Sequence, residues 1–199
     1  MRKFQTIYLD MDGVLADFHT AALIAHKKPE WNRDNWPELG EDLQSVLGMK
    51  GQDKSVWLPK FWEPINAHPT FWEEYPIFPW AQELIELCRE YVTTPHGLVI
   101  CSSPASSCKG EDKRQKLRWL AKHGINLEVK FTEKKHELSK LDTLLIDDWE
   151  KQVDPFRRLG HGRSILFPQP WNRNAVEDWI EKPLHYVRHW IEYYTDRYR

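Results

Sequence analysis

Runs of apolar residues long enough to cross a bilayer, about 20 in succession, are missing from this chain. Arg2 and Lys3 open it with positive charge, but Asp10 interrupts the apolar stretch that follows before it can serve as a signal-peptide core. Cysteine is scarce. Cys88, Cys101 and Cys108 are odd in number and lack metal-ligand spacing, so they read as reduced core or loop thiols of a cytoplasmic protein. An excess of either charge is missing too: 28 basic residues against 30 acidic ones, net −2, leave no footprint for duplex nucleic acid, and a small charged metabolite is the more natural partner. Internal repeats and low-complexity segments do not occur. With 199 residues and 41% hydrophobic content, the chain can bury one sizeable core plus an insertion, but hardly two large independent domains.

What the chain does have is a set of short apolar runs that end on polar residues. Ile7-Tyr8-Leu9 leads directly into Asp10-Met11-Asp12-Gly13-Val14-Leu15-Ala16-Asp17. With one residue between them, Asp10 and Asp12 both project from the strand's carboxyl end, where one carboxylate can hold a cation and attack phosphorus while the other moves a proton. Gly13 lets the backbone turn sharply and its N–H approach an anion. A solvated acidic turn is the competing reading of such a motif taken alone. A calcium loop fits worse, because an EF-hand needs glycine at its sixth position and here the glycine is fourth from Asp10.

The motif has company. Leu98-Val99-Ile100-Cys101 delivers Ser102-Ser103-Pro104, and Leu144-Leu145-Ile146 delivers Asp147-Asp148; between them, Lys134-Lys135 follows the strand-like Leu127–Phe131. A serine after a strand is commonly a helix cap and an Asp pair a turn. In a parallel sheet, however, all four endings fall on one edge, and open α/β sheets bind ligands outside the carboxyl ends of their strands.

The order acid pair, hydroxyl, lysine, acid pair resembles the haloacid dehalogenase superfamily of aspartate-dependent phosphohydrolases. Within it, Asp10–Phe18, Val99–Pro104, Lys116-Leu117-Arg118-Trp119 and Leu144–Asp148 resemble the 5'(3')-deoxyribonucleotidase family. Two departures stand out: Ser102-Ser103 replaces the family's Thr-Ser and keeps the hydroxyl, and the distance from the motif lysine to Asp147 is slightly longer. That lysine is Lys134 or Lys135, with Lys135 favoured as the third residue after Thr132.

The resemblance implies a doubly wound, mostly parallel α/β sheet of Rossmann-like design, with a small, mainly helical cap inserted after the first strand. It also implies a magnesium-dependent phosphomonoesterase acting on nucleoside monophosphates. Asp10 would be the nucleophile, forming an aspartyl-phosphate, and Asp12 the general acid and base. The Asp10 carboxylate, the Asp12 backbone carbonyl, Asp147 and Asp148 would hold Mg2+. Ser102 would bind a phosphoryl oxygen, with Gly13 and Ser103 as further donors; Lys135 would neutralise charge, Lys116 matches a family lysine, and Phe18 would contact the base. A homodimer is left open. So are a related phosphatase acting on a sugar phosphate or a nucleic-acid end and, more remotely, a phospho-accepting signalling module.

Periodicity supplies the rest. Residues 1–16 and 80–199 read as the core, and 17–79, irregular and dotted with prolines, as the cap. Ala81, Leu84, Ile85, Leu87, Cys88 and Tyr91 mark one helix face. Gly110 to His123 reads as a second helix with Leu117, Leu120 and Ala121 as its apolar stripe and Gly124 as its stop. Asp154 to Leu159 reads as a short helix, Ser164–Phe167 as a fifth strand stopped by Pro168, and the chain from Ala175 as helix broken near Pro183. Six of the eleven tryptophans (Trp31, Trp36, Trp57, Trp62, Trp72, Trp80) lie in or beside the insertion, either as its own core or as rings for a nucleobase. Tyr186, Trp190, Tyr193 and Tyr194 read as packing or a subunit contact, and His19 and His26 as ordinary surface or core histidines. Lys109, Lys113, Arg114 and Arg118 read as a solvated helix face that could also draw an anion toward the site.

Overall fold

The computed structural model describes residues 3–108 and 110–196; Lys109 and Arg2 lie outside the described residues. Five strands, β1 (Thr6–Leu9), β2 (Leu98–Ser102), β3 (Glu128–Phe131), β4 (Thr143–Asp147) and β5 (Arg163–Leu166), form one parallel sheet in the order β3-β2-β1-β4-β5. Every residue of β2 and β4 is buried, as expected of strands covered on both faces. Side-chain alternation divides the apolar residues between those faces. Ile7, Leu9, Leu98, Ile100, Leu144 and Ile146 join one large cluster, while Tyr8, Val99, Cys101 and Leu145 meet Phe156 in a second. The chain winds from β1 out to β3 and returns to the other side of β1 for β4. Strand order therefore reverses between β1 and β4, which locates the ligand crevice beyond their carboxyl ends.

Four helices lie between β1 and the next helix of the core: α1 (Phe18–Ala25), α2 (Leu43–Val46), α3 (Lys54–Ala67) and α4 (Phe71–Glu74). Residues 17–79 are thus less irregular than their prolines imply. Pro59 and Pro64 sit inside the 14-residue α3. An internal proline forfeits a helix hydrogen bond, and burial of Phe61 and Ile65 from the same helix offsets that loss. Trp36, Phe61, Ile65, Phe71 and Trp72 belong to the same apolar cluster as Ile7 and Leu9.

In the core, α5 (Ala81–Glu90) buries its expected apolar face. α6 (Glu111–Lys122) does not: Leu117 is 47% exposed and Ala121 is exposed, while Asp112, Gln115, Lys116 and Trp119 are buried beside Leu120. Apolar periodicity misreads this helix because its inner face is polar and hydrogen-bonded. Asp112 accepts from the Ala105 N–H, and Gln115 joins Pro69 and Trp72. α7 (Glu150–Leu159) begins four residues before the expected Asp154 and carries Pro155 within it, anchored by buried Gln152, Val153 and Phe156. α8 (Glu177–Glu181) and α9 (Pro183–Asp196) are separated at Lys182, just before Pro183. Among the described residues, no helix is long and apolar enough to cross a membrane.

Candidate active site

Asp10 follows the last residue of β1, and its N–H donates to the Ile146 carbonyl of β4, which sets it beside Asp147 at the point where strand order reverses. Asp10, Asp147 and Asp148 are all buried, and one carboxylate oxygen from each lies within 4.8 Å of the others. Lys135 enters this cluster from the turn after β3 and donates at 2.6 Å to both Asp10 Oδ1 and Asp147 Oδ2. Lys134 points elsewhere. Its side chain is 69% exposed and pairs with Glu137.

Asp12 belongs to a second cluster. Lys116 Nζ lies 2.5 Å from Asp12 Oδ2 and also donates to Ser102 Oγ at 2.9 Å and to the Ser103 carbonyl at 3.1 Å. The Tyr75 hydroxyl donates to Asp12 Oδ1 at 3.0 Å. Ser102 is fully buried here, whereas the Ser103 hydroxyl turns toward the Thr132 carbonyl at 3.5 Å. The Asp12 carboxylate is not among the three that share the buried cluster, so any hold it has on a cation falls to its backbone carbonyl.

Three carboxylates and one ammonium make an unbalanced buried group. Burial pushes the Asp10 carboxyl up to about 7; Lys135 pulls it down, while Asp147 and Asp12 add to the rise. Asp148 is held well above the usual carboxylate range by burial and then by Asp147 and Asp10. Burial disfavours the Lys135 ammonium, but Asp10 and Asp147 outweigh it and raise its pKa. A bound divalent cation would reverse this logic by favouring the ionised carboxylates. The donor set fits such an ion: buried hard oxygens with surplus negative charge and few competing cations.

Gly13 makes the cluster sterically feasible. It adopts φ +80°, and a Cβ there would sit 2.0 Å from Asp148 Oδ2. Its N–H is not offered to an anion as the motif suggests, because the tight turn after Met11 commits it to the Ala16 carbonyl at 2.8 Å. Its own carbonyl accepts from Gln169 Nε2 at 2.5 Å.

Residues 4–192, nearly the whole chain, match the family described as 5' nucleotidase, deoxy (pyrimidine), cytosolic type C protein. The chain belongs to this nucleotidase family. Two relatives bear the name "Putative 5'(3')-deoxyribonucleotidase". The protein from Bordetella bronchiseptica is 30% identical over 181 residues and that from Bordetella pertussis 29% over 181; each alignment covers 87% of this chain and 90% of the relative. A dehalogenase solved as an intermediate complex superposes with a TM-score of 0.52 at 10% identity, covering 89% of this chain and 92% of that one, which speaks for the fold alone. As a member of this nucleotidase family, the chain is a phosphatase-type hydrolase.

In this nucleotidase, Phe18 is half-buried at the start of α1. Its ring stacks on Trp72 with centroids 5.4 Å apart and planes 11° apart, and meets Phe61 and Phe71 edgewise or tilted. Trp72 in turn receives Lys116 Nζ at 4.5 Å from its ring. His19 stacks on Trp171 with ring centroids 3.7 Å apart, and His26 Nε2 donates to the Phe61 carbonyl at 3.0 Å; neither joins the carboxylate cluster. Of the basic run, Arg118 pairs with Glu73 and Glu111, Arg114 with Glu111, and Lys113 lies over Phe131, so Lys116 alone among the described members reaches Asp12.

Sequence reading passed over a whole supporting shell. The Trp171 indole donates to Asp148 Oδ2 at 2.6 Å, and Asn172 Nδ2 bridges the Asp148 and Phe167 carbonyls at 2.8 Å each. One signal could have found them. Gln169-Pro170-Trp171-Asn172 follows the end of β5, and the rule applied to the other strand ends extends to this one.

Proposed function

We propose that this nucleotidase-family chain is a magnesium-dependent phosphomonoesterase that converts nucleoside and deoxynucleoside monophosphates to nucleoside and phosphate in the cytoplasm, through an aspartyl-phosphate on Asp10. The observation that carries the reading is the pairing of two differently held carboxylates two residues apart: Asp10 within the buried Lys135 cluster, Asp12 outside it on Lys116 and Tyr75. Different surroundings suit different tasks.

An Asp10 oxygen attacks phosphorus in line, and the P–O bond to the leaving alkoxide breaks as Asp12 delivers a proton to that oxygen. Water then attacks the phosphorus of the aspartyl-phosphate while Asp12 takes its proton, and Asp10 and inorganic phosphate are released. Lys135 orients Asp10 and offsets charge; Lys116 and Ser102 face the equatorial phosphoryl oxygens. Asp10, Asp147, Asp148 and the Asp12 carbonyl would hold Mg2+, which when bound offsets the repulsion between an anionic nucleophile and an anionic phosphate. Residues 17–79 form the proposed cap, with Phe18 and its aromatic neighbours toward the nucleoside.

A phosphate-release panel tests this: common ribo- and deoxyribonucleoside monophosphates, a sugar phosphate and a phosphorylated oligonucleotide, each with magnesium. Turnover of the nucleotides above the others is expected. A panel in which no nucleotide is turned over overturns the reading.

A further inference from the structure

We propose that Tyr75 is a positioning residue for Asp12, fixing the carboxylate that exchanges a proton with the leaving group; the inference rests on the role of Asp12 given above. Tyr75 closes the segment between β1 and α5, 63 residues from Asp12 in the chain, and is 3% exposed. Its hydroxyl holds Oδ1 while Lys116 holds Oδ2, so the carboxylate is gripped at both oxygens and cannot rotate about its last bond without losing a charge-assisted hydrogen bond. Oδ1 keeps a second lone pair for the proton the carboxylate must carry, while Oδ2 also lies 3.5 Å from the Ser102 hydroxyl.

The tyrosine is itself held. Its carbonyl accepts from the buried Trp119 indole at 2.8 Å, and its ring lies tilted 5.6 Å from the Trp119 ring. On either side, the Trp72 N–H donates to Gln115, the Pro76 carbonyl accepts from the Asp17 N–H at 2.8 Å, and the Phe78 N–H donates to the Leu15 carbonyl at 2.8 Å. This end of the proposed cap is therefore stitched to α6 and to the loop that carries Asp12. Burial and the neighbouring Asp12 raise the phenol's pKa, which keeps the donor proton in place.

Tyr75→Phe removes one oxygen and keeps the ring. With nucleoside monophosphates or simple alkyl phosphates, whose alkoxides need a proton to leave, release of the alcohol in the first turnover is expected to slow about 10- to 100-fold with KM changed less than about 3-fold, since misplacing a reacting group by 1 Å costs about 100-fold. With p-nitrophenyl phosphate, whose leaving group departs without help, first-turnover release should slow by under about 3-fold; the later hydrolysis, in which Asp12 takes water's proton, is the same for both esters and lies outside the comparison. Asp12→Asn is measured on the same pair, and the double variant should lose no more than Asp12→Asn alone on the alkyl ester. If Asp12→Asn shows the leaving-group dependence and Tyr75→Phe does not, the role of Tyr75 is overturned while that of Asp12 stands. If neither shows it, both fall. Equal losses of Tyr75→Phe on the two esters, with an unchanged melting temperature, also overturn it.

Discussion

A single ammonium, that of Lys135, lies 2.6 Å from Asp10 and 2.6 Å from Asp147, tying the end of β1 to the end of β4 inside the protein. Lys135→Met removes that charge and leaves the carboxylates uncompensated. Stability measured in chelator should fall by about 3–5 kcal/mol, the usual consequence of breaking a buried pair, and magnesium should restore part of the lost melting temperature. Phosphate release should drop at least ~100-fold. A variant as stable and as active as the parent in chelator and magnesium respectively would remove Lys135 from the site.

Asp10→Asn should abolish turnover and leave the fold intact, because Lys135 keeps Asp147 as a partner. Asp12→Asn should lose roughly two to four orders of magnitude in kcat, the scale of general acid-base groups. Wild-type activity in folded Asp10→Asn protein would sink the nucleophile assignment.

Chelation should stop the reaction, and magnesium should restore it better than calcium, whose looser and more numerous coordination suits a compact carboxylate set poorly. The check is phosphate release after exhaustive chelation, followed by titration of each ion. Undiminished activity in chelator would contradict a cation at Asp10, Asp147 and Asp148.

Phe18 packs one face on Trp72, so its truncation should cost some stability as well as substrate contact. Phe18→Ala is expected to weaken nucleotide turnover by about 1–3 kcal/mol in kcat/KM, the worth of a base stacked on a ring, and to leave p-nitrophenyl phosphate nearly untouched. Equal losses on both substrates would assign the ring to packing alone.

His19 predicts an acid sensitivity. Burial lowers its pKa from 6.5 to about 3, and its Nδ1 is sealed without a hydrogen-bond partner beside Trp171. The folded state thus binds fewer protons than the unfolded chain between those values. The stability this neutral ring confers is complete above pH 6.5 and declines as pH falls, by up to about 1.4 kcal/mol per unit. His19→Phe, which keeps the stack, should flatten the stability profile between pH 6.5 and 5 in urea titrations. An unchanged slope would place the acid sensitivity elsewhere.

What the sequence determined by itself is the set of strand endings. Apolar runs stopping at Asp10, Ser102 and Asp147 are local patterns, and parallel-sheet geometry brings such endings to one edge whatever the intervening chain does. Spacing from Thr132 favoured Lys135 over Lys134, but why two neighbours in sequence differ is tertiary: the turn after β3 buries one and exposes the other. Nor was the inner face of α6 legible, since burial of Asp112, Gln115 and Lys116 depends on partners that satisfy them, and the carboxylate that Lys116 meets, that of Asp12, lies 104 residues away. Tyr75, Trp171 and Asn172 came to light in the same way. A hydrogen bond stabilises a buried polar group only where the fold delivers its partner, and that delivery is a property of the tertiary structure.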